Sequence, residues 1–113
     1  MAKPKGHDWE AQRRETFETF EELGRDPDLP KRAVVHFLFF AETLDPDWAG
    51  FEKALRTKGF RPERDEDEGM LDAAFGPMDV TPEAIWARER EATEIALPFD
   101  FWPDGWDMLE AGD

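Results

Sequence analysis

The side chains able to do chemistry in this chain are almost all carboxylates. Ser, Cys, Tyr and Asn are absent, which removes the common nucleophiles except Thr, Lys and the acids themselves. Few neutral polar groups are left to stabilise an oxyanion. Without Cys there are no disulfides, thiolate metal sites or thiol nucleophiles, as suits a reducing compartment. The two histidines, His7 and His36, are far apart and have no zinc-type spacing. His7 falls in a terminal segment expected to fray. His36 shares a strand face with Val34, Leu38 and Phe40, the setting of a structural histidine. The densest acidic cluster is Asp65, Glu66, Asp67 and Glu68, followed by Gly69. It lacks the lead to glycine and the spaced terminal Glu of a calcium loop, so it reads as a solvated hairpin tip. Neither a P-loop nor a dinucleotide fingerprint is present. Catalysis is not expected, and no metal or cofactor is implied.

Charge is the stronger signal. Residues 1–64 hold 12 Lys/Arg against 13 Asp/Glu, whereas residues 65–113 hold two, Arg88 and Arg90, against 15 acids, and so carry −13 of the total −14. Such a field repels phosphate backbones and acidic membranes and attracts basic surfaces over about 8 Å at physiological salt. A basic protein partner is the expectation, and direct nucleic-acid binding is not. The longest apolar stretch, residues 33–41, is broken by His36 and is too short for a membrane span. Residues 1–6 contain no apolar run of the signal-peptide kind. A cytoplasmic protein is expected.

The elements that must position these groups follow from periodicity. The length of 113 residues fits one domain spanning residues 1–113, and ten Phe and five Trp supply a bulky core. Residues 8–23 read as a helix with Trp9, Phe17, Phe20 and Leu23 inward. Residues 32–41 read as a central strand apolar on both faces. Asp45 and Pro46 then open a helix carrying Trp48, Phe51, Ala54 and Leu55 inward, with Gly59 as its left-handed end. Residues 60–63 and 70–75 form a hairpin around residues 64–69. Thr81 and Pro82 open a helix to Ala96 with Ile85, Ala92, Ile95 and Ala96 inward. Residues 99–102 make a last strand, turning at Pro103, Asp104 and Gly105 before Trp106.

After the first helix this order is βαββαβ, so the expected fold is α+β: a ferredoxin-like sandwich with a four-stranded antiparallel sheet and an extra N-terminal helix. The extra helix is expected over the second sheet face or the sheet edge, although a sheet-to-sheet homodimer accounts equally well for a two-faced apolar strand. RNA-recognition domains share the βαββαβ order and stack bases on sheet aromatics. The basic, glycine-containing aromatic motif they need is missing from residues 70–75, and Phe37 and Phe39 are expected to pack beneath helices.

Three blocks carry a family resemblance. The first is the amphipathic segment from Gln12, Arg13 and Arg14 to Leu23 and Gly24, followed by an Asp-rich loop and a strand entering at Val35, His36, Phe37 and Leu38. The second is the helix from Phe51 to Gly59 leading into Phe60. The third is Phe99 and Asp100 followed by Asp104, Gly105 and Trp106. With these blocks the chain resembles the regulator of ribonuclease E activity B family, small acidic bacterial proteins with a ferredoxin-like domain. Two departures are Pro103, where the family often has Tyr, and the acidic tail, reduced here to residues 110–113.

The resemblance implies a non-catalytic protein that binds ribonuclease E, or a component of its degradosome, and lowers its activity through the nuclease's noncatalytic region. The alternative is a small ferredoxin-like enzyme or ligand-binding domain using carboxylates in a cleft between sheet and helix. Expected partner-binding residues are Asp65, Glu66, Asp67 and Glu68 on the hairpin, with Trp102, Asp104, Gly105 and Trp106 near the end. Gly105 permits a positive φ, which lets Trp106 fold back on the sheet as core. The competing reading pairs Trp106 with Trp102 as an aromatic anchor.

Overall fold

The computed structural model describes residues 7–109. The lead-in at residues 1–6 and the shortened acidic tail at residues 110–113 lie outside them. In order, the elements are α1 (Trp9–Leu23), β1 (Arg32–Ala41), α2 (Trp48–Thr57), β2 (Arg61–Asp65), β3 (Met70–Asp79), α3 (Pro82–Ala96), a 3-10 turn (Leu97–Phe99) and β4 (Phe101–Leu109). The sheet order is β2-β3-β1-β4 with every pairing antiparallel. This is the split βαβ arrangement expected from the sequence.

β1 is central, as its apolar run requires. Its buried residues, Ala33, Val35, Phe37 and Phe39, alternate with half-buried Val34, His36, Leu38 and Phe40. The first set faces the helices and meets Phe51 and Leu55 of α2, Ile85, Ala92 and Ala96 of α3, and Phe101 of β4 in one core. Edge-to-face rings tie it together: Phe39 lies 5.6 Å from Phe51 and Phe37 lies 6.1 Å from Phe60. Phe37 and Phe39 are thus fully buried beneath helices and offer no face for base stacking.

Helix ends follow local chemistry. Thr81 caps α3 by accepting from the Ala84 amide, with Pro82 at the first position. α2 starts later than expected: Asp47, not Asp45, accepts from the Gly50 amide, and the helix begins at Trp48. Gly59 takes a φ of 92° after that helix, where a side chain would be strained.

Two expectations are corrected. β4 does not stop at Trp102 and turn. It runs on through Pro103, Asp104 and Gly105 to Leu109. Phe39 pairs with Pro103 and Phe37 with Trp106, so Asp104 and Gly105 together oppose Leu38. That is a β-bulge, and Gly105 accommodates it at a φ of 101°. Pro103 is tolerated because β4 is an edge strand.

The second correction concerns α1. Its buried residues are not the aromatic stripe but Gln12 and Thr16, while Trp9, Phe17, Phe20 and Leu23 are only half-buried. It packs against α3, within the helical layer and facing β4, so it does not cover the second face of the sheet. Among the described residues no helix lies on that second face. No helix there is long and apolar enough to cross a membrane.

Candidate functional site

The eight residues expected to bind a partner divide between two places. Asp65 ends β2, and Glu66, Asp67 and Glu68 form the turn that leads through Gly69 into β3. The turn is locally braced, since Asp65 accepts from the Glu68 amide and Glu66 accepts from Arg64 at 2.7 Å. Arg64 is itself held by a fork of two bonds to Glu52 of α2, at 2.8 and 2.7 Å. These bonds hold the largely buried Glu52 carboxyl below the usual carboxylate range, against the opposing effect of burial. The same pairing raises the Arg64 guanidinium, which stays charged. The hairpin is therefore a fixed acidic projection, with Asp67 and Glu68 exposed.

A shallow groove of about 540 Å³ runs from this hairpin onto the second sheet face, between Leu38, Glu63, Asp65, Asp67, Met70 and Asp72. The register places Leu38 opposite Asp72 and Phe40 opposite Met70 across β1 and β3, with Glu63 opposite Asp72 and Asp65 opposite Met70 across β3 and β2. Apolar and acidic side chains thus alternate across one face. His36 Nδ1 lies 2.9 Å from Asp72 Oδ1, a cross-strand pair on that face.

Trp102, Asp104, Gly105 and Trp106 lie along β4, at the opposite edge of the sheet from the hairpin. They form one wall of a cleft of about 490 Å³ whose other walls are α1 and α3. Trp106 is half-buried and packs against the core from β4, beside Phe37. Trp102 pairs with Phe40, and its ring lies 5.8 Å from His7. His7 is not frayed: its Nε2 is 2.7 Å from Gln12 Oε1, and its ring is 4.5 Å from Trp9.

The floor of the cleft holds a group that periodicity did not reveal. Glu89 on α3 is buried, accepting from the Thr16 hydroxyl and from Gln12 Nε2 at 3.0 Å, while Gln12 also donates to Thr93 Oγ1 at 3.1 Å. Burial pushes the Glu89 carboxyl up; the two hydrogen bonds pull it back, and the Glu15 charge adds to the rise. A signal existed in the sequence: Glu89 and Thr93 are spaced i, i+4 among inward apolar residues of α3, and Gln12 and Thr16 match them on α1.

The cleft has the place expected of a carboxylate site between helix and sheet. Each Glu89 oxygen already has a partner, however, and the other carboxylates lining the walls, Asp8, Glu15 and Asp104, are exposed to solvent. Among the described residues no group of three or more His, Asp and Glu is arranged to hold a metal. What the chain presents is an acidic, partly apolar surface.

Comparison with curated proteins gives no match. The profile of one family, described as regulator of ribonuclease activity B, matches residues 10–108, which takes in nearly all of the helices and strands just described. The chain belongs to the regulator of ribonuclease activity B family.

Proposed function

We propose that this protein is a non-catalytic regulator that binds a ribonuclease E-like endoribonuclease and lowers its activity by protein–protein contact. The observation that carries the reading is the acidic surface built by the hairpin and the adjoining sheet face, in a chain belonging to a family that regulates ribonuclease activity. The acids there are held outward by β2 and β3, and Arg64, the cation nearest the hairpin tip, is spent on Glu52 and Glu66. A basic segment of a nuclease is complementary to such a surface, whereas RNA is repelled by it. The chemistry is consistent with a regulator, because both buried carboxyls are tied into packing, Glu89 between α1 and α3 and Glu52 on Arg64. The partner is protein, no cofactor takes part, and the setting is the cytoplasm.

Size-exclusion chromatography of the purified protein with full-length ribonuclease E tests this. The two are expected to co-elute at low salt and to separate as salt rises. Independent elution at low salt would refute the reading.

A further inference from the structure

We propose that the helix-free face of the sheet, at its hairpin end, is the docking surface, and that its occupant is a segment of the partner in which basic residues alternate with apolar ones. This deepens the ribonuclease reading and rests on it for the partner's identity.

Three observations carry the proposal. First, the helices all lie on the other side: Val35, Phe37 and Phe39 are sealed in the core, whereas Leu38, Phe40 and Met70 stay half-exposed. They are absent from the core and from the side chains packed around it. Second, the apolar strip is rimmed by acids that form no ion pair among the described residues. Glu63 and Asp65 stand on one flank along β2, and Asp107 on the other, opposite His36. Third, the face is graded. Its cations, Arg32 and Arg61, lie at the end remote from the hairpin, where Arg32 is neutralised by Asp79 at 2.8 Å and Arg61 donates to the Gly76 carbonyl at 3.1 Å. At the hairpin end the groove between Leu38 and Met70 meets Glu63, Asp65, Asp67 and Asp72, and the cation that also lines it, Arg64, is paired with Glu52 and Glu66.

A purely apolar partner would leave those carboxylates facing hydrocarbon, and a purely basic one would leave the strip wet. A segment with both kinds of side chain satisfies both. A second copy of this chain fits poorly. Packed sheets lie about 10 Å apart, close to the screening length of about 8 Å at physiological salt, so the acidic rims of two copies would repel. The cleft wall at residues 103–106 is a separate place on the molecule and is not required, whereas Trp102, opposite Phe40, borders the strip on β4.

The probe is a short synthetic peptide of alternating arginine and leucine, with an arginine–glycine peptide as control, both followed by amide chemical shifts of the labelled protein. The expected result is shifts centred on Leu38, Phe40, Met70 and Asp72, with the glycine peptide binding about tenfold or more weaker, because it buries no apolar side chains. Leu38→Asp should weaken the leucine peptide by about tenfold or more. Glu63→Lys, at an exposed edge position, should weaken both peptides without risk to the fold.

Equal binding of both peptides, with shifts confined to residues 66–69 or centred on residues 103–106, would overturn the proposal. So would a dimer formed through this face without peptide. The same two variants mixed with ribonuclease E keep the two readings apart. If the parent and both variants bind the nuclease equally, the surface is wrong and the ribonuclease reading stands. If the peptide docks on this face and the parent does not bind the nuclease, the surface stands and the ribonuclease reading fails.

Discussion

Replacing Trp106 by alanine tests whether that side chain is core or interface, since the two roles give opposite results. Trp106 reaches the core from the edge strand β4, beside Phe37, and is half-buried. An enclosed tryptophan buries about 150–250 Å², so half-burial removes on the order of 100 Å² from water, worth about 2.5 kcal/mol at ~25 cal/mol per Å². Alanine keeps the Cβ, which leaves a loss of about 2 kcal/mol. No large cavity term is added, because water can fill the open cleft, so the cost falls short of the 3–5 kcal/mol typical of a sealed aromatic. At roughly 4 °C per kcal/mol for a chain of this size, Tm should fall by about 8 °C. Thermal unfolding by circular dichroism reads this directly, and affinity for the basic peptide, measured well below Tm, should be unchanged because the proposed docking face is on the other side of the sheet. An unchanged Tm with lost binding would rule out the core role and make Trp106 an interface residue.

Other consequences follow from the same geometry. Glu89→Gln should stabilise the protein at pH 8 and bring no gain at pH 4. A carboxyl raised by burial contributes fully below its unfolded value, about 4.3, and that contribution is lost as pH rises through the folded value; an identical shift in Tm at both pH values would contradict this. Glu52 behaves oppositely, because its lowered carboxyl adds stability above the unfolded value that is lost as pH falls through the folded one. Arg64→Ala should therefore move the Glu52 titration upward by NMR. Gly105→Ala, with φ at 101° and open space around the added carbon, should cost about 1 kcal/mol from backbone strain alone in a denaturant melt. Neutralising Asp65, Glu66, Asp67 and Glu68 to Asn and Gln should slow partner association and flatten its salt dependence, with dissociation less changed, in a surface-binding assay.

The parts of the fold legible in the sequence were those set by local chemistry. The β-branched and aromatic run of β1, the Thr81–Pro82 start of α3 and the glycine after α2 stand where periodicity and capping put them. What was missed depended on long-range partners. Nothing local distinguishes Pro103-Asp104-Gly105 as a turn from the same residues as an edge-strand bulge; the pairing with Phe37 and Phe39 decides it. Gln12 and Thr16 face inward because Glu89 and Thr93, more than 70 positions away, offer them hydrogen bonds. A hydrophobic stripe cannot anticipate a polar seam. For the same reason the acidic hairpin was visible as composition, whereas its continuity with a helix-free sheet face needed the strand order β2-β3-β1-β4.

The proposed inhibition of a ribonuclease by binding can be measured on the nuclease itself. The direct measurement is the rate at which full-length ribonuclease E cleaves a fluorogenic RNA as the purified protein is titrated in at low and physiological salt, with the protein alone on the same RNA as control. Saturable inhibition is expected, with a midpoint that moves to higher concentration as salt increases, and no cleavage by the protein alone. A cleavage rate that stays constant up to protein in large excess at low salt, or RNA cleavage by the protein itself, would contradict it.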